Sequence, residues 1–258
     1  MLEDHDRGLV YDLPLLVNRR RALGLFAGGV GMAMAACGSS ESGGTTSSAT
    51  TSGEIPEETA GPFPGNGSNG PNALAESGVV RSDITSSFGD ASGTADGVKT
   101  TIDLNLLDVA AGGTPLAGTA VYLWHCDIAG RYSMYDEDVA SENFLRGVQE
   151  SDGEGKLAFT SIFPGSYAGR WPHIHFEVYE SEDAATSGSP KLRTSQIALP
   201  KEACELVYAT EGYAQSAQNL TQTSLDTDSV FSDGYAGQLA SWSGSPEKGI
   251  ALKLNVGV

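Results

Sequence analysis

From Glu54 onward, apolar positions recur mostly at every second residue, in short runs broken by Gly, Asp, Ser and Pro. Period-two alternation enriched in Val, Ile, Thr and aromatic residues predicts strands. The clearest runs are Val98–Leu107, Ala120–His125, Lys156–Ser161, Ile174–Tyr179, Leu192–Leu199 and Gly249–Val256. In the first, Ile102, Leu104 and Leu106 share one face while Asp103 and Asn105 take the other. Ala111-Gly112-Gly113 and Asp152-Gly153 are turn signals between runs. Only Lys201–Glu211 and Ala214–Leu220 read as helices, both short. Many short strands with few helices predict an all-β sandwich with short peripheral helices.

The N-terminus is patterned differently. Arg19-Arg20-Arg21 precede a small-residue apolar run, Ala22–Ala36, and then Cys37. A charged region, an apolar region and a small-residue cleavage zone predict a secretory signal over residues 1–36. A permanent anchor helix is the competing reading, but the run is shorter than the ~20 residues a span needs. The arginines followed by Ala22-Leu23-Gly24 resemble a twin-arginine signal. Met34-Ala35-Ala36-Cys37 resembles a bacterial lipobox, which implies lipidation of Cys37; an ordinary cysteine past the cleavage site is the alternative. Residues 37–55, rich in Ser, Thr and Gly, then read as a flexible tether, with a folded domain over 56–258. This organisation implies an exported protein at the cell surface or the outer face of the cytoplasmic membrane, lipid-anchored or secreted, touching lipid only through its anchor.

The formal net charge is −18. The signal holds four basic and four acidic residues, so its removal leaves that charge unchanged. So acidic a domain argues against nucleic-acid partners. Beyond Cys37 only Cys126 and Cys204 remain, and an even pair in an exported chain predicts a disulfide. Two buried thiols are the alternative.

Three histidines lie beyond the signal: His125, His173 and His175. On a strand His173 and His175 project to one side, roughly 7 Å apart along the chain, with Ile174 and Phe176 on the other. Such a pair suits one metal ion, although a solvent-facing or core-satisfied pair has the same spacing. Tyr167 and Arg170 stand just upstream, and Tyr132 follows a Gly130-Arg131 turn. A lone tyrosine more often packs its ring on a sheet edge. His125 reads as structural.

Together these residues carry a resemblance. Val121–Tyr132, Pro164–Tyr167 with Arg170-x-x-His173-Ile174-His175-Phe176, and Glu58-Thr59-Ala60-Gly61-Pro62-Phe63 resemble the signatures of intradiol ring-cleavage dioxygenases. Within that family the chain is most similar to a secreted branch near the protocatechuate 3,4-dioxygenase β subunit. The resemblance implies Tyr132, Tyr167, His173 and His175 as ligands of Fe(3+), with Arg170 and Gln196 at the substrate. Phenolates are hard anionic donors that favour iron(III), and imidazole suits iron as well. The implied reaction takes a small aromatic diol and O2 and cleaves the ring between the hydroxylated carbons. The interval from Tyr167 to His173 is shorter than in the family's well-known enzymes, which bears on the pocket wall and substrate identity. A non-catalytic metal- or ligand-binding surface lipoprotein of the same fold is the competing reading. Oligomeric state is left open.

Overall fold

Alternation builds the first of two sheets. In the computed structural model, which describes residues 53–258, strand β1 (Lys99–Asp108) buries Ile102, Leu104 and Leu106 and leaves the positions between them partly exposed. On one side β1 pairs antiparallel with β2 (Thr114–Pro115) and β5 (Lys156–Ile162). On the other it pairs in parallel with β9 (Gly249–Gly257), and β8 (Ser241–Ser245) completes the sheet. The second sheet is antiparallel throughout, in the order β4 (Arg146–Glu150), β3 (Ala120–Trp124), β6 (His173–Tyr179), β7 (Arg193–Ala198).

Between the sheets lies the main core. Val121, Leu123, Ile174, Phe176 and Ile197 of the second sheet join Ile102, Leu104, Phe159 and Leu252 of the first in one cluster. Each such side chain contributes about 1.5–3 kcal/mol by leaving water. The outer face of the second sheet is covered too, since β3 and β6 are buried at every position. An antiparallel sheet commonly leaves one face wet. Here residues 58–75 cross that face as a strap. Ile55, just before it, donates its N–H to Gly257 of β9 in the first sheet; along the strap Glu58 donates to Thr194, and the Pro64 carbonyl accepts from Tyr122 and Arg146. Asn66 donates to both oxygens of buried Glu177, which also pairs with Lys191. The strap makes the outer face an enclosed environment rather than a surface.

Helices are short and peripheral: α1 (Glu182–Thr186), α2 (Lys201–Tyr208) and α3 (Ala214–Leu220). Ser181 caps α1, its side chain accepting from the Ala184 N–H. The sandwich with small helices matches the expected class. Strands β2, β4 and β8 and helix α1 are not among the elements expected from the sequence. Arg146–Glu150 and Ser241–Ser245 are too polar to show alternation, and β8 is a largely exposed edge strand.

Two expectations are corrected. Ile55, assigned to the tether, is 2% exposed and belongs to the main core, so the folded part has begun by that residue. Cys126 and Cys204 are free, buried thiols rather than a disulfide. Cys126 packs with Trp124 and Tyr132 and points its Sγ at the Gly165 carbonyl, whereas Cys204 sits on α2 within the inter-sheet core. Each fills apolar volume in a different cluster. The signal, Cys37 and nearly all of the tether lie outside the described residues. Among those described, no helix is long and apolar enough to cross a membrane.

Candidate metal centre

One row of residues crosses the whole second sheet. Arg146 on β4 stands opposite Trp124 on β3, Trp124 opposite His175 on β6, and His175 opposite Gln196 on β7. Directly opposed residues share a face, so all four lie beneath the strap. The His175 ring stacks on Trp124, centroids 5.0 Å apart and 5° from parallel. His173, two positions earlier on β6, presents its ring to the same side and meets His175 edge-on at 4.7 Å.

Loops bring in the tyrosines. Asp127 shapes the turn after β3: its Oδ1 accepts the Ala129 and Arg131 N–H groups, and its Oδ2 accepts the Arg131 guanidinium. Tyr132 follows, its N–H donating to Asp136 at 2.5 Å. Tyr167 comes from the loop between β5 and β6, which touches this turn closely. A Cβ added at Gly165 would stand 2.5 Å from the Ile128 carbonyl oxygen, so only glycine lets the two loops meet.

Four donor atoms result, in sequence. Tyr132 Oη lies 3.5 Å from Tyr167 Oη, Tyr167 Oη 3.1 Å from His173 Nε2, and His173 Nε2 3.1 Å from His175 Nε2. His173 Nδ1 is 2.6 Å from the Trp171 carbonyl oxygen. A carbonyl only accepts, so Nδ1 carries the proton and Nε2 presents its lone pair. His175 Nδ1 is buried without a hydrogen-bond partner, leaving that ring held by stacking.

Ligands about 2.1 Å from one centre and at right angles to each other stand about 3 Å apart. The spacings above fit that requirement. Among the described residues no group of three or more His, Cys, Asp or Glu is placed to hold a metal ion. A metal here therefore depends on the two phenols, and two phenol oxygens with two imidazoles suit iron(III).

Burial tunes all four groups. It pushes the Tyr132 phenol well above its ordinary range, reinforced by Tyr167 alongside. The Tyr167 hydroxyl is also raised by burial, with Arg170 opposing, although its ring is partly exposed. Both imidazoles fall well below their usual range, chiefly by burial, then by Arg170 for His173 and by His173 for His175. Without a cation the set is two neutral phenols and two neutral imidazoles, and a bound cation must displace both phenol protons.

Arg170 is the positive charge beside this set. Burial opposes its charge, but Tyr167 and Asp228 outweigh that and raise its pKa. Its Nη2 donates to Gln196 Oε1 at 2.7 Å, while Gln196 Nε2 donates to the Thr59 carbonyl at 2.9 Å. Its Nε donates to Asp228, a residue the sequence did not single out because it lies 58 positions away without a motif. The strap's Gly61 and the stacking partner Trp124 lie within the matching motifs, but the sequence alone indicates no role for either. His125 is enclosed apart from the four donors, bonded to the Cys126 carbonyl at 2.8 Å and to Ser161 Oγ at 2.7 Å.

Residues 70–185 match the family model Dioxygenase_C, described as Dioxygenase. Catechol 1,2-dioxygenase 2 from Acinetobacter lwoffii is 38% identical over 56 residues, 22% of this chain and 20% of that protein. The chain thus matches about a fifth of that relative's length. An intradiol ring-cleavage dioxygenase from Tetranychus urticae aligns at 23% identity with a TM-score of 0.57, covering 70% of this chain and 87% of that one. Hydroxyquinol 1,2-dioxygenase from Pseudomonas putida DLL-E4 aligns at 17% identity and a TM-score of 0.50, covering 81% of this chain and 67% of that one. At these identities the structural likeness establishes the fold.

Proposed function

We propose that this chain, a member of the intradiol ring-cleavage dioxygenase family, uses iron(III) and O2 to open catechol-type rings between the two hydroxylated carbons. The observation that carries the reading is the convergence of Tyr132, Tyr167, His173 and His175 within steps of 3.1–3.5 Å, beside Arg170 and beneath the strap. Those four residues would hold the iron. Bound there, it supplies Lewis acidity toward the phenols and a diol, and an electronic route between diol and O2.

The chain's own residues supply the setting. The His173 Nδ1–H bond to Trp171 fixes the tautomer that leaves Nε2 free to bind. Trp124 holds the His175 ring plane by stacking. Arg170, 12% exposed and fixed between Gln196 and Asp228, is aimed at negative charge developing on a diol's ring and oxygens. In a site shielded from water such a charge acts strongly. The strap excludes water over His175 and fixes the Gln196 amide through Thr59. An exported, lipid-tethered setting is part of the same reading, supported by the arginine-rich N-terminus and Cys37.

Iron-loaded protein supplied with catechol is expected to consume one O2 per diol and release a muconic acid. No oxygen uptake by protein with stoichiometric iron would leave a metal-binding sandwich without turnover instead.

A further inference from the structure

We propose that Asp228 is the positioning residue that sets Arg170 in its working orientation, an assignment that rests on the function proposed above. Both carboxylate oxygens are fully engaged. Oδ2 accepts the Arg170 Nε–H at 2.9 Å and the Trp171 N–H at 2.7 Å. Oδ1 accepts the Val230 N–H at 2.9 Å and the Phe231 N–H at 3.2 Å. The side chain is 0% exposed, and all four partners are donors. Only an acceptor at both oxygens fits. An asparagine amide would turn its NH2 toward two N–H groups, and a glutamate would carry an extra methylene in enclosed space.

The geometry links three parts of the site. Arg170 is held at two points of its planar fork, Nε on Asp228 and Nη2 on Gln196, which fixes the plane as well as the position. The same Oδ2 holds the Trp171 N–H, and the Trp171 carbonyl fixes the His173 tautomer. The Oδ1 turn places Phe231, whose ring lies 5.9 Å from the Arg170 Cζ and 6.5 Å from the His173 ring. Asp228 also offsets the charge of a nearly buried guanidinium, which stays inside only if paired and fully hydrogen-bonded. A carboxylate on the segment after α3 thereby reaches back 58 residues to orient the cation of the site.

A double-mutant cycle on the iron-loaded chain tests this, with kcat/KM for catechol measured for wild type, Asp228→Asn, Arg170→Met and the double variant. Asp228→Asn is expected to cost about 100-fold with Arg170 present, as a displaced positioning group does. With Met at position 170 it is expected to cost at least about tenfold less than that, the remainder coming from the Trp171 and Phe231 contacts, with iron content measured for each variant. Equal losses in both backgrounds, or wild-type activity in Asp228→Asn, would overturn the proposal. A second measurement needs neither turnover nor variants: the Arg170 Nε–H, followed by nitrogen-15 NMR in metal-free protein, is expected to exchange slowly with solvent. Exchange as fast as in free arginine overturns the assignment even if the variants do not fold. Absent turnover in wild type with a protected Nε–H would count against the proposed function and leave the Asp228 contact standing.

Discussion

Replacing Gly61 by alanine perturbs the strap where it passes over the proposed ligand His175. Gly61 has φ of +69°, and a Cβ built there would stand 3.2 Å from His175 Cε1 and 3.7 Å from Nε2. The left-handed backbone costs alanine about 1 kcal/mol relative to glycine. Overpacking adds about 1–3 kcal/mol, here toward the low end because only a few tenths of an ångström must be found. His175 has little room to give, since it stacks on Trp124 and meets His173 edge-on. The expected loss of stability is therefore about 2–3 kcal/mol, read from urea unfolding of metal-free protein. Gly61→Asn separates the two contributions. Asparagine tolerates the left-handed region but keeps the Cβ, so it should lose only the packing share. Iron(III) affinity should fall about tenfold in both variants, because the contact disturbs the ring that carries Nε2. Gly61→Ala within about 0.5 kcal/mol of wild type would refute the close approach.

His125 gives a pH signature. Burial lowers its pKa to about 4, so between that value and its ordinary ~6.5 the unfolded chain binds the proton first. Its contribution is complete above about pH 6.5 and lost as pH falls toward 4, about 3 kcal/mol in all and about 2 by pH 5. Unfolding of wild type and His125→Gln from pH 7 to 5 should show a shallower slope for the variant, and parallel slopes would contradict the buried neutral imidazole. Burial also raises both the Cys126 and Cys204 thiols. Neither should react with a thiol reagent in the native state, and both should react after unfolding without any reductant; a requirement for reductant would reinstate the disulfide.

Much of the sandwich is legible in the sequence because its central strands alternate. Lys99–Asp108 and Gly249–Gly257 sit close to their expected bounds, since one face of each meets the core. Their parallel pairing is not legible, as it joins segments about 150 residues apart. Strand β6 is buried on both faces, yet its His-x-His spacing still reports that two rings share a side. The tyrosines carry no such periodic signal, coming from loops that meet only because Gly165 lets backbones touch. Asp228 stands in a polar segment where one acid among many looks alike. Cys126 and Cys204 show the limit of counting: an even number indicates a pair, but their packing in different clusters decides against it.

The most direct test of the central claim is the visible spectrum of purified protein loaded with one equivalent of iron(III). A centre built from Tyr132 and Tyr167 is expected to give a phenolate-to-iron colour that weakens and shifts in Tyr132→Phe and changes when catechol is added without oxygen. Iron bound without that colour, or a spectrum unchanged by Tyr132→Phe, would contradict a two-tyrosine, two-histidine iron site.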